Sequence, residues 1–233
     1  MGPHSSLPRS YGRNPARVQR LAAWLLAALV CALASTNGVK AAEQPIKIVV
    51  LGDSLSAGFG LPVEAAFPSR LAEALKSKTS AVSIANAGVS GDTASAGLDR
   101  LDWSVPEGTD AVILELGAND ALRGLDPKLT KAALDKILHK LEDRHVAVLL
   151  AGMQAPRNMG ADYVRDFDAI YPALASTHTV VFYPFFLDGV AADPKLNQGD
   201  GLHPNAAGVD VIVARILPRV EELIVRSRAV RGK

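Results

Sequence analysis

Cysteine is almost absent from this chain. Cys31 is the only one in 233 residues, so no intrachain disulfide can form and stability must come from packing. Long apolar runs are scarce too. The run Leu21 to Ala34 falls short of the roughly 20 residues a membrane-spanning helix needs. Excess charge is missing: 25 basic and 24 acidic residues give a net +1, without the basic stripe a nucleic-acid partner requires. There is no internal repeat, no low-complexity tract and no linker rich in Pro, Gly or Ser, so one domain is expected. No His, Asp or Glu group shows metal-ligand spacing along the sequence, and neither metal nor cofactor is expected. A phosphate loop is also lacking. Gly52, Gly58 and Gly60 miss the dinucleotide spacing, and Phe59 stands where a P-loop has lysine.

What is present begins with an N-terminal segment. Arg9, Arg13, Arg17 and Arg20 precede the Leu21–Ala34 run, and the small-residue site Val39-Lys40-Ala41 follows it. A basic region, an apolar core of about 7–15 residues and a small-x-small site describe a secretory signal peptide. The expectation is cleavage after Ala41 and export to the periplasm or beyond, with a retained anchor as the competing reading. Lipidation at Cys31 is disfavoured because Val30 precedes it. The domain expected over residues 42–233 has 233 − 41 = 192 residues, enough for a full α/β core. Losing five basic residues leaves 20 against 24 acidic, a balance of −4.

Within that domain, short apolar runs alternate with amphipathic stretches. Strands are expected at 46–51, 82–85, 111–116, 146–151 and 180–183. Helices are expected at 65–76, 93–101 with Asp92 as N-cap, 129–141, 163–174, and 205–225 with a bend at Pro218. Strands separated by helices of 10–15 residues imply βαβ units. The fold class is therefore α/β, a three-layer α/β/α sandwich with a parallel, flavodoxin-like sheet of about five strands.

Four stretches carry chemistry: Gly52-Asp53-Ser54-Leu55-Ser56, Asn86-Ala87-Gly88, Gly117-Ala118-Asn119-Asp120 and Asp200-Gly201-Leu202-His203-Pro204. Each follows a strand or precedes a helix, where an α/β sheet gathers its functional groups. A serine hydroxyl attacks only when a base takes its proton. Ser54 supplies the hydroxyl, His203 the base, and Asp200 the carboxylate that fixes the imidazole tautomer. The Ser54 and Gly88 backbone N–H groups and the Asn119 amide are candidate donors for an oxyanion hole. Each stretch alone has a bland reading: a helix cap for Ser54, turn residues for Gly88 and Asn119, a capping Asp beside an incidental His. His139, His145 and His178 read as solvated or packed imidazoles. All four stretches in order are harder to dismiss.

These blocks resemble the signature blocks of the SGNH hydrolases, also called GDSL esterases and lipases, from about Ile46 to Val225. Gly91-Asp92-Thr93, Glu115-Leu116-Gly117 and Ile170-Tyr171-Pro172 are similar to the secreted thioesterase, lysophospholipase and arylesterase branch, whereas Ala118 stands where a second glycine is expected. The resemblance implies Ser54, Asp200 and His203 as the triad and Ser54, Gly88 and Asn119 as the oxyanion hole. It implies a monomer that hydrolyses small acyl esters, thioesters or lysophospholipids, with transient contact to a membrane surface. Leu122, Leu125, Met153, Met159 and Tyr163 are candidate acyl-groove residues. The rivals are a carbohydrate O-acetyl esterase with the same triad, a non-catalytic lipid- or glycan-binding module, and a nucleotide-binding flavodoxin-like protein.

Overall fold

β1 (Ile46–Gly52) is a run of branched residues in which only Lys47 is exposed, the pattern of a strand covered on both faces. The computed structural model describes residues 1–2, 44–76, 78 and 82–231, so the signal-peptide reading falls almost wholly outside the described residues. After β1 come α1 (Ser54–Ala57), a 3₁₀ turn at Val63–Ala65, and α2 (Phe67–Lys76). β2 (Val82–Gly88), α3 (Ala94–Asp99), α4 (Leu101–Ser104) and the fully buried β3 (Ala111–Glu115) follow. Then come α5 (Ala118–Leu122), α6 (Pro127–Asp143), β4 (Ala147–Ala151), α7 (Ala161–Asp168), α8 (Ile170–Thr177), β5 (Val180–Tyr183) and α9 (Ala206–Arg231).

The five strands form one parallel sheet in the order β2-β1-β3-β4-β5. Helices α2 and α9 pack together on one face, and α3, α6 and α8 cover the other. The architecture is thus the expected three-layer sandwich. In this strand order the chain reverses its direction of build between β1 and β3, and the loops leaving that point open a crevice at the carboxyl edge. Gly52 is in register with both Gly88 and Glu115, so β1, β2 and β3 deliver their following loops to one level.

Several local details depart from expectation. β2 runs three residues further, so Gly88 ends the strand instead of lying in a turn after it. Thr93, not Asp92, caps α3 by accepting from the Ala96 N–H, and Asp92 is drawn away into an ion pair. The helix expected at 65–76 begins with a separate 3₁₀ turn. The helix expected at 163–174 is two helices meeting at Ala169, and Pro172 has no N–H to carry one helix through the junction. The last helix runs through Pro218 to Arg231; Ile216 and Val220, buried on either side, anchor the turns around the lost hydrogen bond.

Candidate active site

Gly52, Asp53 and Ser54 have separate structural duties. A Cβ on Gly52 would lie 2.6 Å from Glu115 Oε2 and 2.7 Å from Ser56 Cβ, so only glycine lets these groups close over the strand end. Asp53 is fully buried and caps α1, its Oδ1 accepting from the Leu55 N–H at 2.9 Å. Ser54 opens that helix half-buried. α1 ends after one turn at Gly58, whose φ of +82° suits a residue without a side chain.

The partner loop folds on itself. Asp200 Oδ1 accepts from the N–H groups of Leu202 at 2.9 Å and His203 at 3.0 Å, while Oδ2 lies 2.6 Å from His203 Nδ1. Those backbone donors, followed by the imidazole, hold the Asp200 carboxyl down at about 2. His203 Nε2 stands 2.9 Å from Ser54 Oγ, which completes a carboxylate–imidazole–hydroxyl series. Gln198 binds the two loops together, its Nε2 donating to Phe59 O at 2.7 Å and Pro204 O at 3.0 Å. The Phe59 ring lies against the imidazole, with centroids 4.6 Å apart.

Asn119 lines the groove with Ser54 and His203, Gly88 packs against the backbone of Asp53 and Ala57, and both donors already have partners. The Gly88 N–H donates to Asn86 Oδ1 at 2.9 Å. Asn119 Nδ2 donates to Asp53 Oδ2 at 3.1 Å and to Asp92 O at 3.0 Å. An oxyanion at Ser54 has to share or take over these hydrogens.

Beneath the site lies a set of acids that sequence reasoning missed. Asp53, Glu115 and Asp120 are all buried. Ser56 Oγ donates to Glu115 Oε2 at 2.6 Å, and the Ala94 N–H and Thr130 hydroxyl donate to Asp120 at 2.9 Å each. Burial raises Asp53 to about 6, and burial together with the nearby Asp53 charge holds Glu115 well above the usual glutamate range. Arg100, also buried, pairs with Asp92 at 2.5 Å and donates to Gly52 O and Ala87 O at 2.8 Å each. Asp53, Asp92, Glu115 and Asp120 lie inside blocks read for other roles, and only a charge inside an otherwise apolar strand, as at Glu115, hinted at their burial together.

A groove of about 390 Å³ opens beside Ser54 and His203. Its walls include Leu122, Met153, Ala155, Phe185, Leu187 and Ala191, and the Ala118 methyl faces it as well. Two of the five expected groove residues, Leu122 and Met153, are therefore in place. Leu125, Met159 and Tyr163 are not among its lining residues: the Tyr163 hydroxyl donates to Leu125 O at 2.9 Å, so this side chain ties α7 to the turn before α6. Among the described residues one group with metal-ligand geometry, Asp135 with His139 and His178, was not visible from spacing, because His178 comes from a later element.

Sheet, crevice and groove together define an ester-bond hydrolase of the α/β/α sandwich class. Residues 50–211 match the GDSL-like Lipase/Acylhydrolase family, and the chain belongs to that family, the SGNH hydrolases. It is 41% identical over 165 residues to an arylesterase of Vibrio mimicus, covering 70% of this chain and 82% of that protein. It is 38% identical over 178 residues to thioesterase 1/protease 1/lysophospholipase L1 of Escherichia coli (strain K12), covering 76% of this chain and 84% of the relative. The crystal structure of AlinE4, an SGNH-hydrolase family esterase, aligns with a TM-score of 0.66 at 43% identity, covering 77% of this chain and 96% of that one.

Proposed function

We propose that this enzyme cleaves carboxylic esters and thioesters through an acyl-enzyme on Ser54. The reading is carried by the unbroken series from Asp200 through His203 to Ser54, at 2.6 Å and 2.9 Å. His203 Nε2 takes the Ser54 proton as Oγ attacks the acyl carbon. Asp200, ionised and held by two backbone N–H groups, fixes the tautomer of the imidazole and keeps it turned toward Ser54. The Ser54 N–H, the Gly88 N–H and the Asn119 amide stabilise the oxyanion. His203 then gives its proton to the leaving oxygen or sulfur, and water repeats the sequence to release the acid.

The substrates are small acyl esters and lysophospholipids. A groove lined mainly by aliphatic and aromatic side chains suits an acyl chain better than an acetyl group on a sugar. The relatives named arylesterase and lysophospholipase L1 support the same class. Leu122 and Leu202 line the groove yet are about half exposed, which suits a monomer that touches a membrane surface briefly to collect its substrate. The basic and apolar N-terminal pattern supports cleavage near Ala41 and a periplasmic or secreted enzyme. Hydrolysis of p-nitrophenyl esters of two to sixteen carbons, with Ser54→Ala alongside, tests the reading. Rates that peak at medium or long chains and vanish in the variant are expected. A peak at acetate would transfer the assignment to carbohydrate deacetylation, and negligible rates in both proteins would leave a binding module.

A further inference from the structure

Asp135 and His139 lie four residues apart on α6, which places them on one face of the helix, and Glu142 follows almost one turn later. Against that face stands His178, the residue that ends α8 just before β5. Its side chain is only 2% exposed, and both its ring nitrogens meet carboxylates: Nε2 lies 2.9 Å from Asp135 Oδ1 and Nδ1 lies 3.1 Å from Glu142 Oε2. His139 Nδ1 lies 2.9 Å from the Asp135 carbonyl oxygen and 3.5 Å from Asp135 Oδ2, and its ring stands edge-on to His178 with centroids 4.7 Å apart. One donor atom from each of Asp135, His139 and His178 falls within 4.8 Å of the other two.

We propose that Asp135, His139 and His178 bind a divalent transition-metal ion of the zinc class, with Glu142 holding the His178 ring from behind. A buried imidazole between two carboxylates has to carry a proton on each nitrogen, or one proton and one metal. A metal-binding histidine almost always donates its other N–H to a carboxylate, which fixes the tautomer and strengthens the ligand. Glu142 is near enough for that duty: its Oε1 accepts from the Thr179 N–H at 3.1 Å, and its Oε2 lies 3.1 Å from the buried Nδ1, which makes no hydrogen bond at rest and is left for it to meet. With Nδ1–H given to Glu142, the Nε2 lone pair points at the space shared with Asp135 and His139.

The donor set decides the ion. Two imidazoles and one carboxylate suit zinc, nickel, cobalt or copper, whereas calcium and magnesium call for more oxygens. Bonds of about 2.0–2.1 Å in a tetrahedral site put ligand atoms roughly 3.3 Å apart. His178 Nε2 lies 2.9 Å from one Asp135 oxygen and His139 Nδ1 3.5 Å from the other, and one donor atom from each residue falls within 4.8 Å of the other two, so small side-chain rotations bring the set to that spacing. Binding expels the Nε2 proton to solvent, and water completes the coordination. The site faces the amino ends of the strands, near the start of β5, while Ser54 follows the carboxyl end of β1. It therefore acts on stability and leaves the hydrolytic chemistry alone.

Titration of the full chain with zinc chloride by calorimetry tests the site. One zinc per chain is expected, with calcium chloride giving no competing heat. His139→Ala, at an exposed position that does not threaten folding, should weaken binding at least tenfold. Glu142→Gln should weaken it about 10–100-fold while leaving all three ligands in place. His203→Ala should bind zinc like the wild type, which separates this site from the catalytic imidazole. Absence of zinc binding, full affinity in His139→Ala, or loss of binding in His203→Ala would each overturn the assignment.

Discussion

Asn119 Nδ2 sits 3.1 Å from Asp53 Oδ2, so the amide proposed to hold the oxyanion rests on the buried carboxylate of the residue just before the nucleophile. The contact joins the loops that leave β1 and β3, the two strands on either side of the crevice. It positions the amide without help from substrate, and the hydrogens now given to Asp53 and Asp92 turn toward the oxyanion as its charge develops. Asn119→Ala should lower kcat by about 10²–10³ with little change in KM, because the lost interaction grows with the developing charge. Steady-state kinetics on a p-nitrophenyl ester check this. A loss below tenfold would remove Asn119 from the role.

The Asp53 carboxyl also leaves a signature in stability. Its folded value of about 6 lies above its ordinary value near 3.8, so the native state binds the proton more tightly than the unfolded chain. Its contribution is therefore fully present below about pH 4 and is lost as pH rises through 6. The shift corresponds to something on the order of 3 kcal/mol at 1.36 kcal/mol per pH unit. Asp53→Asn cannot titrate. Urea unfolding from pH 4 to 7 should show the wild type losing stability relative to the variant, and parallel curves would contradict the raised value.

Arg100 offers a test of how the crevice is held open. It is 7% exposed, pairs with Asp92, and donates further to the strand-end carbonyls of Gly52 and Ala87 and to the Ser104 hydroxyl. Removing one member of a buried pair leaves the other uncompensated, at a cost of about 3–5 kcal/mol. Arg100→Met should lose stability of that size in urea. A loss under 1 kcal/mol would mean that water replaces the guanidinium.

What the chain revealed in advance was local. Ile46 to Leu51 and Ala111 to Leu116 read as buried strands because nearly every residue in them is apolar. Asp200 and His203 were readable as a pair because only Gly201 and Leu202 separate them in the loop. Pairings across long stretches of chain were not readable. Glu115 meets Ser56, Arg100 meets Gly52, and His178 meets Asp135 only after the sheet has formed. Groove residues fell between these limits. Met153 follows the end of β4 closely and Leu122 closes the short helix after β3, whereas Tyr163 needed the packing of α7 to show that it faces elsewhere.

Chain-length preference should follow the groove walls. Ala191 is an exposed wall residue, so Ala191→Trp fills space without disturbing the core. Each methylene kept out of an apolar site forfeits about 0.8 kcal/mol, roughly fourfold in kcat/KM. The variant should therefore keep its rate on acetate and butyrate esters while losing tenfold or more on chains of ten carbons and beyond. An unchanged profile would place the acyl chain outside this groove.

Ser54 Oγ is the proposed nucleophile on which ester hydrolysis by this chain depends. The most direct measurement is the intact mass of the protein after treatment with a fluorophosphonate, followed by peptide mapping. One adduct on Ser54 is predicted, formed with loss of fluoride and matched by loss of esterase activity, with none in Ser54→Ala. An adduct on another residue, or full activity remaining after Ser54 is modified, would contradict the account.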